Sequence, residues 1–228
     1  MAIPVWNTKS KRHASRASAA CLPGNFNVNV LQARSGQVHR MRIIAGMFKG
    51  RMLKTTVGPG YRPAMGKVRQ AIFSMLEARG VVWSQTRVLD IFAGSGSLGF
   101  EALSRGATHA AFIESSPRAA TLIRENARIF GLEESQITVW AKEARAVLGS
   151  RPETPFDLVF IDPPYGGNFL IPTVGAVLRN GWLAPDGILN AEVEHRLALD
   201  PDTVFPPLAC LADRTYGQTR VLVWANNA

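Results

Sequence analysis

Short apolar runs alternate with longer amphipathic stretches along residues 87–193. The short runs are rich in Val, Ile, Leu and Phe, as buried strands are, and the stretches between them repeat apolar positions with the period of a helix. Regular alternation of strand and helix predicts an α/β fold with a mostly parallel sheet and right-handed crossovers. The predicted strands cover 87–91, 109–114, 136–141, 157–162 and 187–193, and the predicted helices cover 97–105, 117–130, 143–148 and 168–180.

The pattern changes on both sides of this region. After it, two strand-like segments flank Gly217-Gln218, which predicts an antiparallel hairpin at the sheet edge. Before it, we expect a small hairpin around Lys49-Gly50 and then a helix that ends at Gly80. These further elements are strands 42–45 and 51–55, helix 65–78, and strands 209–216 and 219–225.

Positive charge is concentrated at the front of the chain. Residues 1–40 carry six Lys and Arg and no acid, residues 41–79 carry eight against one acid, and the rest carries twelve against sixteen, so the parts hold +6, +7 and −4 of the total +9. A basic front beside a mildly acidic body is typical of proteins that bind a polyanion. We therefore predict a basic tail 1–40, a hairpin and helix 41–80 that face the polyanion, and an alternating domain 81–228.

The N-terminal residues 1–40 and the overall composition indicate where in the cell the protein is expected. Residues 1–40 are polar and aperiodic, which predicts disorder, or an extension ahead of a true start at Met41. No apolar stretch approaches the roughly 20 residues that cross a bilayer. Cys21 and Cys210 show no metal or redox spacing, and neither do the four histidines. We expect a cytoplasmic monomer without a metal; because the tail is rich in Arg and free of acids, an organellar transit peptide is the alternative.

The apolar run 158–161 ends in Asp162-Pro163-Pro164-Tyr165. Two successive prolines fix the backbone and lack N–H groups, so the loop presents carbonyl oxygens at little entropic cost. The Asp162 carboxylate and the Pro163 carbonyl can each accept an N–H bond from the exocyclic amine of a flipped base, and Tyr165 can stack on the base. Taken alone, the motif fits an ordinary Pro-Pro turn after a strand about as well as it fits a base-binding loop. Beside a cofactor site, it indicates an amino-methyltransferase.

A glycine-rich turn follows the first strand of the alternating region. Gly94, Gly96 and Gly99 fit the dinucleotide pattern G-x-G-x-x-G, and Glu114 lies twenty residues beyond Gly94 at the end of the next strand. That pattern serves NAD and S-adenosylmethionine (AdoMet) alike. Asp90 would face the anionic pyrophosphate of NAD unfavourably but the cationic amino group of AdoMet favourably. AdoMet is therefore the predicted cofactor.

Several stretches together match the motifs of one known family: 42–46, 49–51, Arg62-Pro63 with 68–73, the glycine block 90–107, and 162–165. On these stretches the chain, from Arg42 to its end, resembles the bacterial 16S ribosomal RNA guanine-N2 methyltransferases of the RsmD type. The resemblance implies the Rossmann-like, seven-stranded class I methyltransferase fold, with AdoMet as the methyl donor. It also implies a guanine of 16S rRNA as the acceptor, and ribosomal RNA or the small ribosomal subunit as the partner.

By position, the resemblance implies a role for each motif residue. The chain departs from the family at Glu143, where Asp is usual, and at Ala64, where Thr is usual. The implied catalytic residues are Asp162, Pro163, Pro164 and Tyr165. The implied cofactor residues are Asp90, Phe92, Ala93, Gly94, Ser95, Gly96, Glu114, Ser115, Glu143 and Ala144, and the implied RNA-binding residues are Lys49, Arg51, Arg62, Lys67 and Arg69.

The predicted activity is transfer of the AdoMet methyl group to the exocyclic N2 amine of a guanine in 16S rRNA. An adenine-N6 methyltransferase acting on DNA or RNA stays open, because the same acceptors serve any exocyclic amine. A noncatalytic RNA-binding module of ribosome assembly also stays open. It would differ by failing to bind AdoMet.

Overall fold

A seven-stranded sheet, preceded by a two-stranded hairpin, runs through the residues that the computed structural model describes, 41–55, 64–164 and 166–227. The strands are β1 Met41–Arg42, β2 Met52–Leu53, β3 Arg87–Ile91, β4 His109–Ile113, β5 Ile137–Trp140, β6 Phe156–Ile161, β7 Leu183–Glu194, β8 Leu208–Tyr216 and β9 Thr219–Asn226. The helices are α1 Ala64–Ala78, α2 Ser97–Arg105, α3 Pro117–Phe130, α4 Ala144–Leu148 and α5 Leu170–Arg179.

The order of strands in the sheet places its ligand-binding edge. The order is β5-β4-β3-β6-β7-β9-β8. Neighbours from β5 to β7 are parallel, and β9 is antiparallel to both β7 and β8. The predicted mostly parallel sheet with a C-terminal antiparallel hairpin is therefore confirmed. The chain leaves β3 toward β4 and β5 and then returns to β6, so the carboxyl ends of β3 and β6 form a topological switch point, where such sheets bind ligands.

The two faces of the sheet have separate cores. Val88 and Phe160 pack with Phe73 of α1 on one face, whereas Leu89 packs with residues of α4 and α5 on the other. Because successive side chains of a strand point to opposite faces, Asp90 lies on the α1 face. The face of the sheet that carries Asp90 is therefore the face covered by α1.

Local sequence explains where α3 begins and ends. Ser116 caps the helix by accepting the N–H group of Ala119 at 3.4 Å, and Pro117 occupies the first helical position, where no N–H group is needed. Gly131 ends the helix with a φ of 70°, a left-handed conformation that glycine adopts without strain. The helix thereby occupies 117–130, as the sequence predicts.

The N-terminal hairpin is shorter than the predicted strands 42–45 and 51–55, because α2 supplies the missing partners. Ile44 and Ala45 donate their N–H groups to the carboxylate of Glu101, at 2.7 and 3.0 Å. Glu101 is fully buried. The segment is therefore held on the main sheet and its helices by a side chain of α2, in place of a longer strand ladder.

Ser104 of α2 provides a second attachment for the same segment. Its carbonyl accepts the N–H group of Met47 at 2.7 Å, and its hydroxyl accepts that of Phe48 at 2.9 Å. Gly46 lies between these contacts with a φ of +80°, and a Cβ atom there would come within 1.7 Å of the Ser104 carbonyl oxygen. Only glycine permits this approach.

Strand β7 begins at Leu183, earlier than the predicted start at residue 187. Leu183 pairs with Phe156 and Ile188 pairs with Leu158, so the intervening residues 184–187 bulge out of the ladder. Their Pro-Asp-Gly sequence predicts a loop, but pairing on both sides keeps them within one strand. Across the described residues, no helix is both long and apolar enough to cross a membrane.

Candidate active site

Two carboxylates stand at the switch point of the sheet. Asp90 is the next-to-last residue of β3, with only 1% of its surface exposed, and its Oδ2 atom accepts the N–H group of Gly99 at 3.0 Å. Asp162 directly follows β6, and its N–H group donates to the carbonyl of Ile91 at 3.4 Å. The predicted catalytic loop is thus joined to the strand that carries the predicted cofactor carboxylate.

Burial makes this site unusually poor at holding negative charge. Burial raises the pKa of Asp90 well above its usual value, the Gly99 N–H group opposes that rise, and the charges of Asp162 and Glu114 add to it. Burial also raises the pKa of Asp162 to about 6. Neighbouring anions and desolvation both disfavour ionised carboxylates. A cation placed among these carboxylates would therefore stabilise their ionised forms.

The glycine turn brings backbone close to this edge. Gly94 has a φ of +54°, its N–H group donates to Glu114 Oε2 at 2.8 Å, and a Cβ atom there would meet no atom within 4 Å. At Gly96, with a φ of +77°, a Cβ atom would instead come within 2.8 Å of Phe100. At Gly99 it would come within 2.3 Å of Phe112. The first glycine therefore leaves open space for a ligand, and the next two allow α2 to pack closely on the sheet.

A cavity of about 300 Å³ opens beside this turn. It joins the end of β4, the start of α4 and the loop after β6 in one site. The structure thus brings together residues of the predicted cofactor and catalytic sets that lie far apart in sequence. The lining residues are Phe92, Ile113, Glu114, Ser115, Glu143, Ala144, Asp162 and Pro164.

The remaining residues of the glycine turn are tied to the scaffold. Ala93 donates its N–H group to the carbonyl of Ile113 at 3.1 Å. The Ser95 hydroxyl lies 3.6 Å from Met41 Sδ, and the backbone carbonyl of Ser95 accepts a hydrogen bond from the side-chain amide of Asn126 at 3.4 Å. The N-terminal hairpin therefore contacts the turn directly. Pro163, the first proline of the loop after β6, is also buried.

The predicted RNA-binding residues occupy different environments. Lys49 and Lys67 are exposed. Arg51 donates to the carbonyl of Ile129, and its guanidinium lies 4.9 Å from the ring centre of Phe130. Arg69 is 94% buried, since 6% of its surface is exposed, and it donates to the carbonyl of Arg42. Arg62 and Tyr165 lie outside the described residues, as does the tail 1–40.

Sequence reasoning did not single out Glu192 of β7. Ile161 of β6 pairs with Ala191 of β7, so Asp162 and Glu192 are the next residues beyond the last pair of these two parallel strands. Burial and the charges of Asp162 and Asp90 raise the pKa of Glu192 well above its usual value, and Arg69 lowers it. A fourth acid near the carboxyl end of a predicted strand, after Asp90, Glu114 and Asp162, was the available signal. Among the described residues no group of His, Cys, Asp and Glu side chains is arranged to hold a metal ion.

Known proteins share both the sequence and the fold. The family described as Conserved hypothetical protein 95 matches residues 41–225. Ribosomal RNA small subunit methyltransferase D of Escherichia coli K12 is 36% identical over 169 residues, 73% of this chain and 81% of that protein. The protein of the same name from Haemophilus influenzae is 35% identical over 155 residues, 68% of this chain and 79% of that protein.

Solved structures agree with these relatives. The structure of a candidate methyltransferase from Escherichia coli superposes with a TM-score of 0.71 at 30% identity, covering 83% of this chain and 99% of that one. A candidate methylase from Haemophilus influenzae gives 0.70 at 29% identity, with the same coverage. The chain therefore belongs to the Conserved hypothetical protein 95 family, and it is a class I methyltransferase of the RsmD type.

Proposed function

We propose that this methyltransferase transfers a methyl group from AdoMet to the exocyclic N2 amine of a guanine in 16S ribosomal RNA. One observation carries the proposal: Asp162, at the start of a rigid Pro163-Pro164 loop, lines the same cavity as Glu114. This shared cavity supports the assignment of Asp162 as the acceptor for the amine and of the Glu114 side as the nucleoside pocket. The choice of RNA as the substrate rests on the relatives that are named as small-subunit rRNA methyltransferases.

AdoMet dependence follows from the class, and the residues fit the group. AdoMet carries a positive sulfonium and amino group, and the site offers carboxylates whose ionisation a nearby cation would favour. We assign the methionine part to Asp90 and to the open backbone at Gly94. We assign the ribose to Glu114, and the adenine to the cavity wall that includes Glu143.

The chain's own residues position the amine. Asp162, with a pKa of about 6, is ionised at neutral pH and accepts an N–H bond from the base. The Pro163 carbonyl accepts the second N–H bond, so the nitrogen lone pair is turned toward the methyl donor. When bound, AdoMet would supply the methyl group to this nitrogen, and its sulfur would keep the electron pair of the broken sulfur–carbon bond. The surplus amine proton passes to Asp162. Tyr165 stays a predicted stacking residue.

RNA binding is assigned to the basic N-terminal part. Lys49 and Lys67 are exposed and free to approach phosphates, and Arg62 keeps its predicted role. Arg51 can contribute only part of its guanidinium surface, because it already contacts Phe130. Arg69 lies close enough to Glu192 to lower that group's pKa, so we assign it to the active site. A monomeric state stays a prediction.

The test is product analysis with labelled AdoMet. The protein is incubated separately with unmodified 16S rRNA, with small ribosomal subunits that lack the modification, and with DNA, and each substrate is digested to nucleosides. Label in N2-methylguanosine from either ribosomal substrate supports the proposal. Label in N6-methyladenine would support the rival base specificity instead. Absence of AdoMet binding by calorimetry, with RNA binding intact, would indicate a noncatalytic module.

A further inference from the structure

Glu192 occupies a defined place beside the catalytic loop. Asp162 and Glu192 each lie one residue beyond the paired residues Ile161 and Ala191 of two parallel strands. Ala191 is buried in the core on the face away from α1. Because side chains alternate along a strand, Glu192 points to the face of the sheet that carries Asp90. Its carboxylate and those of Asp90 and Asp162 are called the strand-end carboxylates below.

The charges around Glu192 come from three elements, whereas β9, which also pairs with β7 here, places the apolar Val221 opposite Glu192. β6 supplies Asp162, β3 supplies Asp90, and α1 supplies the buried cation Arg69. On the same side of β7, Glu194 accepts the N–H group of Gly166 at 2.7 Å. Within the part of the chain that the structure describes, the charges that act on Glu192 are thus two anions and one cation. The cluster has an excess of negative groups.

We propose that Glu192 is a specificity-determining residue that lets the strand-end carboxylates distinguish cationic AdoMet from its neutral product, S-adenosylhomocysteine. The inference rests on the proposed AdoMet-dependent function. AdoMet carries one more positive charge than the product, on its sulfur. A cation near three crowded carboxylates stabilises their ionised forms, whereas a neutral thioether does not. The cluster therefore binds the donor more tightly than the spent cofactor.

Proton balance follows from the same charges. Burial and the charges of Asp162 and Asp90 raise the pKa of Glu192, so this carboxyl group releases its proton less readily than an ordinary one. Binding of AdoMet releases protons from the cluster, and its affinity rises with pH. After transfer, sulfur has lost its positive charge and the amine proton has returned to the cluster through Asp162. The total charge of the site is the same before and after the chemical step.

Calorimetry on the full chain tests the proposal. AdoMet and S-adenosylhomocysteine are titrated separately from about pH 5.5 to about pH 8.5, in buffers of different ionisation enthalpy that report protons released. For the wild-type protein we expect AdoMet affinity to rise with pH more steeply than product affinity. For Glu192→Gln we expect AdoMet affinity equal to wild type at the acid end and about tenfold weaker at the alkaline end. Product affinity should change little.

Two further variants complete the design. Glu194→Gln keeps an oxygen that can accept the Gly166 N–H group, and Glu194 lies on the same side of β7, so this control should bind both ligands as wild type does at every pH. Glu192→Asp keeps an ionisable carboxyl and should retain the pH slope, which separates charge from packing if the Gln variant folds poorly.

Other outcomes would overturn the inference. If Glu192→Gln weakens both ligands equally at every pH, Glu192 is a structural partner of Arg69 and the proposal is wrong. An unchanged AdoMet affinity across the whole range would overturn it as well. A folded wild-type protein that binds no AdoMet would overturn the proposed function itself, and that result is visible before any variant is made.

Discussion

Two regions of this protein bury carboxylates in opposite electrostatic environments. Glu101 of α2 is fully buried, and it accepts two backbone N–H groups from the N-terminal hairpin and two bonds from Arg105, at 3.1 and 2.9 Å. Asp90 is almost as buried, yet its carboxylate accepts the Gly99 N–H group and lies near the like charge of Asp162. One carboxylate is surrounded by donors, and the other is crowded by anions.

The difference separates scaffold from active site. A buried carboxylate with several donors holds elements together, and removal of its charge leaves those donors without partners. A buried carboxylate beside other anions destabilises the free protein, and it gains a favourable partner only when a cation arrives. Substitutions in the first region should therefore lower stability, whereas substitutions in the second should weaken ligand binding or chemistry and can stabilise the free protein.

The largest expected effect is on stability, at Glu101. Replacement by Ala removes the acceptor of four donors inside the core, and we expect the free energy of unfolding to fall by about 3 to 5 kcal/mol. Urea unfolding followed by circular dichroism measures it. Glu77→Ala is the matched control, because Glu77 contacts the same Arg105 from a side chain that is 47% exposed; its loss should be within about 1 kcal/mol. Equal losses would contradict the comparison.

Asp90→Asn should act on binding. The amide oxygen can still accept the Gly99 N–H group, but the charge that we assign to the AdoMet amino group is lost, so affinity should fall by about 1.5 to 3 kcal/mol. Calorimetry measures this change. Asp157→Asn is the control at the opposite end of the sheet, where Asp157 accepts the N–H group of Arg87 at 2.7 Å. Unchanged AdoMet affinity in Asp90→Asn would refute the assignment.

The stability of the free protein should depend on pH through Asp162. Its folded-state pKa, about 6, lies above the ordinary value near 4. The folded state therefore binds the proton more tightly, and stability declines as pH rises from about 4 through about 6. Asp162→Asn removes this titration, so it should be more stable than wild type at pH 7.5 by an amount that vanishes toward pH 4. Urea unfolding across that range gives the difference, and a constant gap would argue against it.

The smallest expected effect is at Arg51. Its guanidinium lies against the rings of Phe48 and Phe130, with centroid distances of 5.4 and 4.9 Å. Arg51→Lys keeps the charge but weakens the planar contact, and we expect a loss of about 0.5 to 1 kcal/mol in unfolding free energy. Lys49→Ala, at an exposed position without such a contact in the described residues, should be nearly neutral for stability but should weaken RNA binding.

Much of the fold could be predicted because local sequence and tertiary structure agree there. Strand 87–91 and helices 97–105 and 117–130 have the predicted bounds, since their apolar periodicity and terminal glycines are strong local signals. The predicted start of β7 was wrong, because residues 184–187 belong to the strand only through the pairs that β7 makes with β6 before and after this bulge. The hairpin was predicted too long, because Glu101 takes the place of strand partners.

The position of the candidate active site could be predicted where one motif contained the information. The glycine turn and the loop from Asp162 were recognisable from consecutive residues, and the fold places them at one edge. Glu192 was missed because its position beside Asp162 depends on pairing with strand β6, which lies about thirty residues earlier in the chain. Burial of Arg69 was missed for the same reason, since the sequence shows a basic helix but not which of its faces packs inward.

The single-turnover rate of methyl transfer by Asp162→Asn, at saturating AdoMet and saturating small ribosomal subunit, tests the central claim most directly. The claim is that the acid at the end of β6 directs the amine toward the donor. We predict a rate about 100-fold or more below wild type, with AdoMet still bound and the fold intact. A rate within about threefold of wild type would contradict the claim and remove Asp162 from the chemistry.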